Sequence, residues 1–214
     1  MLVNEIFSSI EGEGIRAGYP VTFVRLYGCN LHCSYCDTRY SCEGGDFKKM
    51  SVDEILNAVA DIGFHRVTLT GGEPLIHKDV NELIFALIKA EYEVNIETNG
   101  AVYIAPYLHN AKTIITLDYK SISSGENTKM WLSNIPLLRK RDVLKFVVGS
   151  KEDLDDMRRI LIDYLPSCNI YVSPVFGKIE PKEIAEYIKE HRLENCRLQL
   201  QMHKFVWPPD MRGV

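Results

Sequence analysis

Residues 21–38 read VTFVRLYGCNLHCSYCDT and join a strand pattern to a cluster of cysteines. Its first seven residues are rich in β-branched and aromatic side chains, which predicts a buried β-strand over residues 21–27. A short loop follows and carries Cys29, Cys33 and Cys36. Three thiolates in so short a loop can chelate one metal centre without help from elsewhere. The stretch therefore predicts a strand that delivers a metal-binding loop at its carboxyl end.

Similar strand and helix patterns alternate along the rest of the chain. Further short strands, rich in β-branched residues, are predicted over residues 67–70, 94–98, 114–118, 143–148, 170–173 and 197–202. Amphipathic helices are predicted over residues 52–62, with a capping box of Ser51 and Glu54, over residues 80–88, after Ser150 and from about Pro181. Right-handed crossovers place such helices outside a curved parallel sheet.

This pattern predicts an α/β fold whose mostly parallel, curved sheet forms an incomplete (β/α) barrel, with a doubly wound open sheet as the alternative. No linker or repeat divides the chain, which predicts a single domain over residues 1–214. In such folds the chemistry lies beyond the carboxyl ends of the strands. Polar residues follow the predicted strands at residues 28–29, 71–73, 97–99, 118–120, 173–174 and 201–204. One mouth of the barrel should therefore collect most of them.

Composition narrows the class of protein. The 214 residues are 46% hydrophobic and 25% charged, with a formal net charge of −4, which is typical of a soluble globular protein. Neither this charge nor a pI near 5.9 suits a general nucleic-acid binder. No stretch approaches the roughly 20 apolar residues that span a bilayer, and the N-terminus has no signal-peptide pattern. We expect a cytoplasmic protein, with no membrane partner, whose six cysteines form no disulfide framework.

The cysteine triplet favours an iron–sulfur cluster, because such clusters take thiolate ligands. A cubane has four irons, so three cysteines leave one iron open to a small molecule that carries an amine and a carboxylate. The alternative is a structural zinc site, which needs four ligands and would take His32 or Cys42 as the fourth. The spacing C-x3-C-x2-C is not usual for a zinc finger, which favours the cluster.

The same spacing is the signature of the radical S-adenosylmethionine (SAM) superfamily, which the chain also resembles at residues 70–74, TGGEP. The resemblance implies the incomplete barrel of that superfamily, a [4Fe–4S] cluster on Cys29, Cys33 and Cys36, and SAM as cofactor. A glycine pair lets backbone carbonyls approach the SAM ammonium, and an acid can complete its shell. The implied SAM contacts are Tyr35, Asp37, Gly72, Glu73, Asp118, Tyr119, Lys120, Ser173, Pro174, Val175 and Phe176.

Four other segments are similar to one family within that superfamily, the 7-carboxy-7-deazaguanine synthases. They are residues 9–14 (SIEGEG), 23–38, 97–100 (ETNG) and 200–204 (LQMHK). The resemblance implies a carbon–nitrogen lyase that converts 6-carboxy-5,6,7,8-tetrahydropterin to 7-carboxy-7-deazaguanine and ammonia, on the route to queuosine and related 7-deazapurines. A radical made from SAM would abstract hydrogen from the pterin, and SAM would be regenerated.

The resemblance also implies residues that bind the substrate and Mg²⁺. Thr38 holds the family's magnesium position, where one hydroxyl suffices because Mg²⁺ keeps several waters. Arg25 could pair with the substrate carboxylate through its planar fork. The family commonly has Gln where this chain has Glu11, although a carboxylate can still accept from pterin N–H groups. The implied substrate contacts are Ile10, Glu11, Gly12, Arg25, Thr70, His203 and Val214.

The implied partners are the pterin itself, an electron donor such as flavodoxin or ferredoxin, and a second copy of the chain in a homodimer. Two other functions remain open to the residues alone. A glycyl-radical-enzyme activase is also small and carries C-x3-C-x2-C, but it would act on a protein and would not need Arg25 and Thr38. A metal-binding interaction module would not respond to SAM.

Overall fold

The computed structural model describes all of residues 1–214. Nine strands form one sheet in the order β3-β1-β2-β4-β5-β6-β7-β8-β9. They are β1 (Leu2–Ile10), β2 (Pro20–Leu26), β3 (Lys48–Lys49), β4 (Arg66–Gly71), β5 (Glu93–Thr98), β6 (Thr113–Lys120), β7 (Val143–Val148), β8 (Asn169–Pro174) and β9 (Cys196–Leu198). Strands β2 and β4 to β9 are parallel, whereas β1 is antiparallel to both β2 and β3. The sheet is open, as an incomplete barrel requires.

Five α-helices accompany the sheet: α1 (Val52–Ile62), α2 (Val80–Lys89), α3 (Lys151–Tyr164), α4 (Pro181–Glu190) and α5 (His203–Val206). The predicted capping box begins α1, where Ser51 accepts from the Glu54 N–H and Glu54 accepts from the Ser51 N–H. Gly63 ends α1 with a φ of 84°, a left-handed conformation that glycine adopts without strain. None of the helices is both long and apolar enough to cross a membrane.

The structure confirms the α/β class and corrects the elements near the chain ends. Each predicted strand of the central sheet lies within two residues of an observed one, but β1, β3 and α5 were not predicted. The prediction of a strand over residues 197–202 was wrong after Leu198, where the chain leaves the sheet edge. Met202 then donates its N–H to Gly12, and α5 begins at His203. Three-residue edge strands have too short a pattern to give a reliable boundary from sequence.

The convex face of the sheet holds the hydrophobic core. Val24, Leu69 and Ile96 on successive strands point outward and pack with helix residues such as Ile55 and Leu83. Each fully buried side chain of this kind contributes roughly 1.5–3 kcal/mol relative to an exposed one. Because side chains alternate along a strand, the residues between these apolar positions must face the concave side.

That concave side is unusually polar for a buried surface. Its residues from β2 to β8 include Arg25, Thr68, Thr70, Asn95, Glu97, Thr116, Asp118, Lys145 and Ser173. The segment 11–16 after β1 crosses this face, and the Gly14 N–H donates to Oε1 of Gln199 at 2.6 Å, beyond the opposite sheet edge. Burying polar groups is costly unless they are paired, so this surface is built for hydrogen bonding rather than for packing.

Candidate active site

The cysteine loop lies directly against the glycine pair that follows β4. The Glu73 N–H donates to the Gly28 carbonyl at 2.8 Å, and the Gly72 N–H donates to Leu26 at 3.1 Å. A Cβ added to Gly72 would lie 2.2 Å from the Gly28 oxygen and 2.8 Å from Cys29 Cβ. Only glycine permits this approach, so the two segments predicted to bind one cofactor are in direct contact.

Two of the three thiols, Cys29 and Cys36, have surroundings suited to thiolates. Cys29 Sγ accepts from the Leu31 N–H at 3.4 Å and from Asn99 Nδ2 at 3.6 Å. A hydrogen bond from the Cys42 thiol is the main reason that the pKa values of Cys29 and Cys36 fall to about 6. Burial instead raises the pKa of Cys33 to about 11. N–H donors directed at sulfur are typical of iron–sulfur ligands.

No group of three His, Cys, Asp or Glu side chains is arranged to hold a metal ion. The N–H groups of Leu31 and Asn99 are directed at Cys29 Sγ, which is typical of thiolate ligands of a cluster.

Beside the cysteine loop lie polar groups that fit SAM. Asp118 Oδ2 pairs with Lys120 at 3.0 Å, while Oδ1 of the same carboxylate is buried without any hydrogen-bond partner. Tyr35 donates to the Val147 carbonyl at 3.4 Å, which holds its ring against the end of β7. A buried orphan acceptor such as Oδ1 suits the hydroxyl groups of a bound nucleoside.

Two of the predicted SAM contacts, Tyr119 and Glu73, have side chains that form hydrogen bonds within the protein. The Tyr119 side chain lies on the convex face, 2% exposed, and donates to Asp156 of α3 at 2.9 Å, so a contact with SAM at this residue would come from its backbone. Strand alternation is the reason, because Asp118 and Lys120 face the other side. The Glu73 carboxylate is fully buried and accepts from the N–H groups of Leu75 and Asn99 and from the Thr98 hydroxyl. Glu73 thus links the glycine turn to the end of β5 by hydrogen bonds and stabilises the turn.

The other predicted SAM segment follows β8. Ser173 is buried and donates to Oε1 of Glu13 at 2.8 Å, while Pro174 and Val175 are buried and Phe176 is half-exposed. Lys145 pairs with Oε2 of the same Glu13 at 2.9 Å. Burial disfavours the ionised carboxyl, but the Lys145 ammonium, together with hydrogen bonds from Lys145, Ser173 and Gln201, outweighs burial and lowers the pKa of Glu13. Neither Glu13 nor Lys145 was among the predicted site residues.

Arg25 lies on the concave face, 13% exposed, with its Nε donating to Glu5 at 2.7 Å. The guanidinium also lies over the Phe7 ring, 5.6 Å from its centroid. No hydrogen bond is made by either terminal nitrogen, so the two donors of the fork remain available. The structural ion pair and the predicted role in binding a carboxylate are therefore compatible, because Glu5 orients the fork without occupying it.

Glu11 lies at the floor of the barrel, 2% exposed, and is held by two groups that the sequence did not single out. Arg16 Nη2 is 3.1 Å from Glu11 Oε2, and the Thr68 hydroxyl donates to the same oxygen at 2.5 Å. Thr70, predicted to contact substrate, donates instead to Oε2 of Glu97 at 2.8 Å. Thr68 could have been found from the sequence, because side chains alternate along β4 and this places Thr68 on the same face as Thr70.

The chain end closes one side of the site. A Cβ on Gly12 would lie 2.6 Å from Nδ1 of His203, so these two predicted substrate contacts touch each other. Lys204 pairs with Asp37 beside the cysteine loop at 3.0 Å, which ties α5 to the cluster segment. Thr38 lies in that segment, with its hydroxyl 3.9 Å from Cys36 Sγ. These contacts bring five predicted site residues from three distant parts of the sequence together.

Val214 lies elsewhere. It lines a cavity with Ile10, another predicted substrate contact, and with Phe64, which precedes β4. Phe64 marks the amino ends of the parallel strands, opposite to the cysteine loop. The structure therefore brings Val214 to Ile10 but not to the mouth that holds the cysteines.

Comparison with known proteins agrees with this geometry. Residues 23–165 match the model of the radical SAM superfamily. A 7-carboxy-7-deazaguanine synthase of Clostridium acetobutylicum is 42% identical over 218 residues, covering 99% of this chain and 98% of that protein. One of Methanospirillum hungatei is 44% identical, covering 98% of this chain and 86% of that protein.

Solved structures show the same fold. The crystal structure of QueE from Escherichia coli superposes with a TM-score of 0.76 at 25% identity, covering 94% of both chains. Streptococcus suis SuiB bound to SAM superposes with a TM-score of 0.59 at 15% identity, covering 84% of this chain and 46% of that one, which is a likeness of fold alone. Superfamily match, full-length identity and fold agree, and the chain belongs to the 7-carboxy-7-deazaguanine synthase family of the radical SAM superfamily.

Proposed function

We propose that the chain is a carbon–nitrogen lyase of 7-deazapurine biosynthesis, which converts 6-carboxy-5,6,7,8-tetrahydropterin to 7-carboxy-7-deazaguanine and ammonia. The observation that carries this proposal is the contact between the cysteine loop and the Gly72 turn at the mouth of a polar, concave sheet. When bound there, a [4Fe–4S] cluster supplies the electron for reductive cleavage of SAM. Family membership makes this reaction the first to test.

Some residues of the mouth would bind the cofactors and others the substrate. Cys29, Cys33 and Cys36 would hold the cluster, with Asn99 donating to the first thiolate. The orphan Oδ1 of Asp118 would accept from SAM, and Lys120 fixes that carboxylate from its other oxygen. Buried polar groups without partners are rare in native proteins, which supports a ligand at this position.

Arg25 supports the choice of substrate. Its two terminal nitrogens can form the parallel pair of hydrogen bonds that a carboxylate accepts, and Glu5 already holds the guanidinium plane. Thr38, next to the cluster segment, would give its hydroxyl to Mg²⁺, with water and substrate oxygens completing the shell. Magnesium is thus part of the proposal and rests on the family resemblance.

The remaining partners are also proposals. The cluster must receive its electron from outside, so a reductant such as flavodoxin or ferredoxin is required, and the family resemblance suggests a homodimer. All six cysteines are free thiols, and thiolate clusters persist in reducing compartments, which supports the cytoplasm. Light scattering of the purified protein tests the dimer, and reduction with each purified donor tests the reductant.

The experiment that tests the reaction is an anaerobic assay. The protein is loaded with iron and sulfide and reduced, and SAM, Mg²⁺ and 6-carboxytetrahydropterin are added. We expect 7-carboxy-7-deazaguanine, identified by mass and ultraviolet absorbance, together with ammonia. Formation of 5′-deoxyadenosine without that product would retain the radical chemistry and overturn the substrate. Neither product, in a protein that shows the cluster spectrum, would overturn the proposed function.

A further inference from the structure

The crossing segment, residues 11–16, is held to the far side of the sheet through Glu13. Oε2 of Glu13 accepts from Lys145 of β7 at 2.9 Å and from Gln201, which follows β9, at 3.2 Å. Oε1 accepts from the hydroxyl of Ser173 in β8 at 2.8 Å. The side chains of Glu13 and Lys145 are only 10% and 9% exposed, so this ion pair lies inside the site. One carboxylate from the N-terminal part of the chain therefore joins three elements of the C-terminal part.

The crossing segment also carries two of the predicted substrate contacts. Glu11 and Gly12 directly precede Glu13 in the chain. On the other side of Glu13, the Gly14 N–H donates to Oε1 of Gln199 at 2.6 Å, and Nε2 of Gln199 donates back to the Gly14 carbonyl at 3.2 Å. Consecutive Cα atoms are about 3.8 Å apart, so residues next to these bonds have little freedom to move. The place of Glu11 and Gly12 over the concave face therefore depends on Glu13.

Lys145 connects Glu13 to the proposed SAM site. Asp118 and Lys145 are paired across β6 and β7, which places their side chains next to each other on the concave face. Lys145 Nζ lies 3.6 Å from Oδ2 of Asp118, and Lys120 Nζ lies 3.0 Å from the same oxygen. Two cations on one oxygen fix the carboxylate, and its Oδ1 is the oxygen left without a partner. Lys145 thus contacts both Glu13 and the carboxylate proposed to accept from SAM.

We propose that Glu13 and Lys145 are positioning residues for the reaction proposed above, on which this inference rests. Glu13 fixes the crossing segment, which brings Glu11 and Gly12 to the pterin. Lys145 fixes the distance between Glu13 and Asp118, and hence between the pterin and SAM. Hydrogen transfer requires both ligands at a set distance, and a misplacement of about 1 Å can lower the rate on the order of 10²-fold. Buried ion pairs stabilise a fold little compared with apolar side chains of similar size, so stability alone does not account for these charges.

Two variants separate positioning from stability. Glu13→Gln keeps the shape of the side chain and an acceptor for the Ser173 hydroxyl, but removes the charge that pairs with Lys145. The double variant Glu13→Gln/Lys145→Met removes both charges, so that neither is left buried without its partner, which would destabilise the fold. The exposed ion pair of Glu186 and Lys189 on α4 gives the matched control, Glu186→Gln/Lys189→Met. Circular dichroism of the cluster-free proteins shows that each variant is folded.

The first measurement is steady-state kinetics of cluster-loaded protein, with the pterin and SAM varied separately. We expect Glu13→Gln to raise KM for the pterin about 10-fold and KM for SAM less than about threefold, because Asp118 keeps both of its lysines. The double variant should raise both KM values and lower kcat on the order of 10- to 10²-fold. Equal changes in the two KM values of Glu13→Gln, or wild-type kinetics in the double variant, would overturn the positioning roles.

The second measurement does not depend on turnover. Hydrogen exchange of cluster-free protein, followed by mass spectrometry, should be about 10-fold faster at residues 11–16 in both variants and unchanged in β4 and β5, because only the crossing segment loses its anchor. Titration of the reduced, loaded proteins with SAM, followed by electron paramagnetic resonance, should show weaker binding in the double variant alone. Wild-type exchange and SAM binding in both variants would overturn the positioning roles and leave the proposed function intact. A wild-type protein that forms no 7-carboxy-7-deazaguanine would overturn both.

Discussion

At the scale of single residues, Cys33 gives the sharpest test of the cluster. It is 8% exposed and lies in the middle of the loop, where no other thiol can replace it without moving the loop. We expect Cys33→Ala to lose the visible absorbance of the cluster after reconstitution and to lose all product formation. Iron and sulfide analysis gives the loading, and Cys168→Ala is the matched control, because that cysteine directly precedes β8, at the amino end of the strand. Normal iron content in Cys33→Ala would contradict the ligand assignment.

Arg25 carries a second prediction at this scale. Replacing it by Gln removes the fork that would hold the substrate carboxylate, and hydrogen bonds to charged groups are worth about 1.5–3 kcal/mol. We therefore expect KM for the pterin to rise on the order of 10- to 10²-fold, with less effect on the affinity for SAM. Steady-state kinetics with each compound varied separately gives both values. Arg141→Gln, on the exposed loop before β7, should change neither.

Predictions about individual residues were limited because the sequence did not show to which face of the sheet each side chain points. The spacing of the cysteines is a local property, and their loop lies where the sequence indicated. The sequence did not indicate that the Tyr119 side chain faces away from Asp118 and Lys120, because residues 118–120 were treated as one segment, whereas a strand sends alternate side chains to opposite faces. Arg16 and Thr68 were missed, since nothing local distinguishes the buried partners of Glu11 from ordinary polar residues.

At the scale of elements, the cap of α1 offers a test of stability that leaves the site intact. Ser51→Ala removes the acceptor of the Glu54 N–H, which typically costs about 1 kcal/mol. For a chain of this size we expect the midpoint of thermal unfolding to fall by about 2–4 °C. Differential scanning calorimetry of the protein without cluster measures it. Ser167→Ala, an exposed serine outside any helix or strand, should leave the midpoint unchanged, and an equal fall there would contradict the capping argument.

Helix α5 shows why the end of the sheet was hard to predict. The segment 197–202 has the alternation of a strand, but β9 stops at Leu198. Oε1 of Gln199 accepts from the Gly14 N–H, and the Met202 N–H donates to Gly12. These partners come from the crossing segment near the N-terminus. Residues 199–202 could pair either with the sheet edge or with the crossing segment. Local sequence pattern does not show which partner they take, because the crossing segment is distant in sequence.

At the scale of the whole molecule, buried carboxyls should make stability depend on pH. Burial raises the pKa of Glu73 from 4.5 to about 7, against three hydrogen bonds that favour the ionised form. Between about pH 4.5 and 7 the native state therefore holds a proton that the unfolded chain has lost. The contribution to the free energy of unfolding is fully present below this window and falls as pH rises through it.

Glu73→Gln removes this titration. We expect the free energy of unfolding of the variant, relative to wild type, to increase from pH 5 to pH 7.5 by an amount on the order of a few kcal/mol. Urea unfolding of the cluster-free protein at several pH values measures the difference. The exposed Glu82→Gln control should give a difference that does not vary with pH. A flat difference for Glu73→Gln would mean that the carboxyl is ionised in the native protein throughout this range.

From the sequence alone we could predict the class of fold and the cluster loop, because these depend on local periodicity, on crossover handedness and on the spacing of three cysteines. A single domain over the whole chain stays a prediction, although all nine strands share one sheet. The folded structure was needed to show that Glu11 contacts Arg16 and Thr68, that Thr70 donates to Glu97, and that Lys204 pairs with Asp37. The physical reason is that these contacts join side chains far apart in sequence, whose pairing depends on strand register and on the curvature of the sheet.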